Sequence, residues 1–158
     1  MRLIRSVSRL AVPAVALMTL LGPDVASARG FAVQDLTPFG PVLERALGAG
    51  FAHRAEGRRV TLTCPPCKGS PIVDVLLGRQ ADGTEARVRS GETSIAQLEA
   101  LCRQRSSSCR LVALDVSPAV GWVSTYGMGS QFGSTAVVLR DGDLLTIRVI
   151  AGSEARAR

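Results

Sequence analysis

Residues 135–151 read TAVVLRDGDLLTIRVIA. Two aliphatic, β-branched runs, Thr135–Arg140 and Leu144–Ala151, flank Asp141-Gly142-Asp143. An Asp-Gly step between such runs is a strong local signal of a β-hairpin. Leu145, Ile147 and Val149 fall on one face of the second run, the side expected to meet a core. Val137 and Val138 make the first run apolar on both faces, which predicts an interior strand.

Upstream, the same period-2 alternation predicts strands at Leu111–Val116 and Val120–Tyr126, parted by Ser117-Pro118. A glycine-rich loop is predicted over Gly127–Gly133. Ser94 with Gln97 three residues on forms a capping box and opens a helix over 94–105. Ile95, Leu98, Leu101 and Cys102 share one face of that helix. Ile72–Arg79 reads as a strand with Val73, Val75 and Leu77 on one side. Asp82-Gly83 predicts a second hairpin, with Thr84–Arg89 returning as a half-exposed strand: Ala86 and Val88 in, Arg87 and Arg89 out. Val60–Thr63 is a further strand. Six or seven strands and one helix (94–105) make an α+β chain with a mainly antiparallel sheet, stapled by disulfides. The core domain spans 59–152. Residues 29–58 form a mixed N-terminal segment, with a short helix over Val42–Leu47 (Val42, Leu43, Ala46 and Leu47 on one side) and a polar, basic stretch from His53 to Arg59. Residues 153–158 read as a charged, disordered tail.

The first 28 residues have a different character. Arg2, Arg5 and Arg9 precede an uncharged stretch from Leu10 to Pro23, and Ala26-Ser27-Ala28 ends it. A basic start, a short apolar run and an A-x-A site are the three parts of a cleavable signal peptide. Crossing a bilayer takes about 20 apolar residues, and Pro13 interrupts this run. The expectation is an exported protein, periplasmic or extracellular, with no stable membrane insertion after cleavage. The full chain carries a formal charge of +6; residues 1–28 hold three arginines and one aspartate, so the remainder carries +4. That balance suits anionic surfaces. Few aromatics lie among the arginines, so nucleic acid is not an expected partner.

All four cysteines, Cys64, Cys67, Cys102 and Cys109, follow residue 28. An even count in an oxidising compartment predicts two disulfides. Three connectivities are open, and the local pairs, 64 with 67 and 102 with 109, are preferred. Zinc is disfavoured by the wide 102–109 spacing, and no metal or other cofactor is expected.

Cys64-Pro65-Pro66-Cys67-Lys68 resembles the thioredoxin-type C-x-x-C-K over these five residues. The resemblance implies a thiol–disulfide oxidoreductase using Cys64 and Cys67. This chain departs from the family pattern in three ways: no aromatic precedes Cys64, turn and strand rather than helix follow Cys67, and Ser134 stands where the family carries a proline beside its active site. His53 is the only histidine, so any Ser-His or Cys-His catalysis would have to use it. No G-x-S-x-G elbow is present. Trp122, Tyr126 and Phe132 are three of six aromatics, and with Met128 they gather near the 127–133 loop. That end is the candidate binding surface for an unidentified protein or small molecule. A binding or accessory domain is the leading reading, and the thiol–disulfide enzyme is the alternative.

Overall fold

The computed structural model describes residues 30–152. The expected signal peptide and charged tail lie outside the described residues. Seven strands form one antiparallel sheet: β1 (Ala52–Glu56), β2 (Arg59–Thr63), β3 (Ile72–Arg79), β4 (Arg110–Leu114), β5 (Val120–Met128), β6 (Gln131–Arg140) and β7 (Asp143–Ala151), in the order β1-β2-β3-β7-β6-β5-β4. Three α-helices accompany them: α1 (Gly40–Leu47), α2 (Thr84–Ser90) and α3 (Ile95–Arg105). The chain is α+β, as its alternating runs predict.

The hairpin around Asp141-Gly142 sits at the heart of the sheet. Val138 pairs with Leu145 and Ala136 with Ile147 across it. β7 then pairs with β3 along eight residues, Ile72↔Ile150 to Arg79↔Asp143. Val60, Leu62, Val73, Val75 and Leu77 are buried on one face, called here the front. Leu36, with the half-buried Phe31, Leu43 and Phe51, covers them. The N-terminal segment and α1 therefore roof the front face over β1, β2 and β3.

The segment from Thr84 is a correction. It forms α2, not a strand, and Asp82-Gly83 is not a hairpin turn. Asp82 Oδ1 accepts the Thr84 N–H at 3.0 Å. Gly83 and Gly91, both left-handed, bound the helix (φ 80° and 78°). Glu85 then reaches the turn between β6 and β7, accepting the Asp141 and Gly142 N–H groups at 2.9 Å each. These tertiary bonds outweigh the weak alternation of Ala86 to Arg89, since local propensity yields to tertiary context. α3 carries the capping box read from Ser94 and Gln97, but Leu101 is 58% exposed rather than inward.

Two further segments differ from expectation. His53 to Arg59 holds strand β1 and its turn into β2. The 127–133 stretch is no loop: β5 runs to Met128, β6 starts at Gln131, and Gly129-Ser130 alone makes the turn. In α1, Val42 and Leu47 point outward (56% and 43% exposed).

β3 and β4 run parallel, four places apart. The chain between them, with α2 and α3, lies over the back face: Leu139 there is fully buried, Cys102 of α3 is bonded to Cys109, and Val112 on the front is 67% exposed. The two roofs thus lie diagonally: α1 on the front over one half of the sheet, α2 and α3 on the back over the other. No described helix is long and apolar enough to cross a membrane.

Candidate functional site

Strand parity decides what Trp122, Tyr126, Met128 and Phe132 can do together. Paired residues share a face. Trp122 pairs with Val137, Tyr126 with Gly133 and Met128 with Gln131, all on the back. Phe132 pairs with Gly127 and Ala151, on the front. The sheet brings three of the four together and puts the fourth on the opposite face. Tyr126 is half-buried, with its hydroxyl 3.1 Å from Thr135 Oγ1. Its ring lies over Gly133, where a Cβ would come within 2.4 Å of it. This tyrosine is packed; Met128, at 39%, is the exposed member.

Both local disulfides are present, Cys64–Cys67 and Cys102–Cys109. Cys64 is buried (1%) while Cys67 is half-buried. The intervening residues form a turn closed by the Cys67 N–H on the Cys64 carbonyl, and a second turn follows from Cys67 to Ser70. A depressed thiol pKa usually draws on a helix N-terminus; here turns stand in that place. His53 bonds Glu44 through Nδ1, joining β1 to α1. That hydrogen bond holds the Glu44 carboxyl below its usual range. No serine, threonine or cysteine bonds the His53 ring among the described residues. No three His, Cys, Asp or Glu side chains come together as a metal-ion site among the described residues.

The strongest feature lies on the front face, and it escaped sequence reading. A cleft of about 340 Å³ opens between the N-terminal segment and the sheet. Phe31, Leu36, Phe39 and Leu43 wall it; Val75, Leu77, Leu145 and Ile147 floor it. None of its lining residues is polar. The cleft does not end at β7. Register carries the floor onward through Ala136, Val123 and Val112 in one row; in the next, Val138 leads to Gly121, which is buried with Val116 against it, and to Leu114. No helix roofs this half of the front face. Val112 is 67% exposed and Ile147 36%. Charge returns at the borders: Arg110 on β4 at one, and Arg79, Asp143 and Arg140 in register at the other, all on the front by parity.

The wall of the cleft is latched by acid groups. Asp143, almost fully buried, accepts the Phe31 N–H at 2.9 Å and the Gln34 side-chain amide at 3.0 Å, and pairs with Arg79 at 3.0 Å. Asp141 accepts the Gly30 N–H at 3.2 Å. The Phe31 hydrogen bond is the main reason the Asp143 carboxyl titrates below the ordinary aspartate value. Gly30 packs directly on Asp143: a Cβ there would fall 2.1 Å from its Oδ2. No family model, curated protein or solved structure matches this chain at a significant level.

Proposed function

We propose that this chain is an exported, disulfide-stabilised binding domain, periplasmic or extracellular, and that the front face is its binding surface. The carrying observation is the apolar band that runs from the cleft to Val112 without a covering element. Contiguous exposed apolar surface on a small domain marks a site of interaction, and an apolar cleft of this size falls within the range of ligand sites. Phe132 borders this face; Trp122, Tyr126 and Met128 belong to the back. The two disulfides and the basic, apolar, A-x-A leader support export. The thiol–disulfide reading has less behind it, because Cys64 is the buried member of its pair and no helix follows.

An uncharged naphthylamine dye tests the surface. The native protein should enhance its emission at neutral pH, and Ile147→Asp with Val112→Asp should abolish that enhancement while leaving the melting temperature within a few degrees. A native protein that brightens the dye only when unfolded would defeat the reading.

A further inference from the structure

We infer that the occupant of the front face is a single amphipathic helix of a partner protein, with an apolar stripe flanked by acidic residues. This rests on the front face being the binding surface. Extent is the first ground. Strands lie about 4.8 Å apart and residues rise about 3.4 Å, so even two full rows over four strands would cover no more than roughly 250 Å². A stable dimer interface needs about 800 Å² from each partner. A second copy packed face to face would bury too little through this band. One helix is about 10–12 Å across and rises 1.5 Å per residue, so about 13 residues would cover the band. The cleft gives such a helix a pocket for one or two large anchoring side chains, the usual seat of binding energy.

The neighbouring edge is the second ground. β4 ends the sheet, and an extended peptide could add to it. Its outward Leu111 N–H is already taken by the Glu99 carboxylate at 2.9 Å. The edge is guarded while the face is open.

Charge is the third ground. Arg110 and Arg140 border the band on opposite sides. Arg110 bonds the carbonyl of Cys109, a neutral acceptor. At the opposite border Arg140 stands across from Asp143 and pairs with Asp141 at 3.9 Å, so its charge is offset there. Arg110 therefore selects an acidic flank on the helix and rejects a basic one.

Two labelled 18-residue peptides test this by fluorescence anisotropy. Both carry leucines at helical spacing; one has glutamates beside the stripe, the other lysines. The glutamate peptide should bind about tenfold more tightly, a difference of about 1.4 kcal/mol. Val112→Asp should abolish its binding, and Arg110→Glu should reverse the preference. Equal binding of both peptides would overturn the acidic partner and leave the apolar surface standing. Dye binding without binding of either peptide would overturn the helix. Absence of both dye and peptide binding would overturn the surface itself. Sedimentation as a dimer that excludes the peptide, or binding to anionic phosphatidylglycerol vesicles but not to peptide, would likewise overturn it in favour of a second copy or a lipid surface.

Discussion

Asp143 shows how one side chain can fix the shape of a site it does not line. Its carboxylate joins the first described residues to the β6–β7 hairpin and so sets the wall of the cleft. Asp143→Ala leaves the Phe31 N–H without its acceptor, the Gln34 amide with the Phe31 carbonyl alone, and Arg79 without its partner. A buried donor left unpaired costs about 1–3 kcal/mol, and urea midpoints at pH 7 should show a loss of about that size. The sign of the pH effect follows from the depressed titration. The folded-state value lies below the ordinary 3.8, so this contribution is present above pH 3.8 and disappears as pH falls through the folded value. Parent and variant stabilities should therefore converge as the pH is lowered beyond 3.8. A constant gap down to pH 2 would show that the carboxylate charge is not what holds the segment. Asp143 was visible in the sequence only as a turn residue. Its role depends on Phe31 and Gln34, more than a hundred positions away, and no local pattern carries that.

Legibility at the level of elements followed the strength of local periodicity. β3, β5, β6, β7 and α3 rest on long alternation or a capping box, and they appear close to where those signals place them. α2 failed because seven residues carry too little period to decide. Its helix depends on Asp82, Gly83 and the distant turn that Glu85 caps. β1 failed because an edge strand need not be apolar: Ala52–Glu56 carries His53, Arg54 and Glu56, and such charges blunt a sheet edge. At the other edge β4 reads Arg-Leu-Val-Ala-Leu and carries a single charge, Arg110, at its start. Glu99 supplies the protection instead, reaching from α3 to the Leu111 N–H. Glu99→Ala should free that group, raising amide exchange at Leu111 and Ala113 above the parent rate. The variant should also associate in a concentration-dependent way, read by sedimentation velocity. A variant that stays monomeric with unchanged exchange would mean that Glu99 does not guard the edge.

The molecule as a whole is a single sheet with half a roof on each face, and this has an energetic consequence. Only ten apolar residues are buried among those described, and two of them, Cys64 and Cys109, belong to the disulfides. A sheet this lightly covered leans on its cross-links, as small domains do. The binding face was not legible from sequence for the same reason. Val112, Val123 and Ala136 look like ordinary inward residues until the topology shows that no element covers them. The cross-links differ in reach. Cys102–Cys109 spans seven positions and ties the end of α3 to the start of β4; Cys64–Cys67 spans three and closes a turn. Loop-closure entropy assigns about 2.5 kcal/mol to the first and about 2 kcal/mol to the second. Against a total of about 5–15 kcal/mol for a domain, losing both removes a large share. Replacing Cys102 and Cys109 by serine should lower stability by about 2–3 kcal/mol and release α3 from β4. The Glu99–Leu111 contact would then weaken, so edge association should rise in this variant as well. Replacing Cys64 and Cys67 should cost somewhat less and leave the β4 edge guarded. Denaturant titration and sedimentation of the two double variants separate these effects. Equal association in both would show that the 102–109 bond does not position Glu99, and that α3 holds its place on the sheet by packing alone.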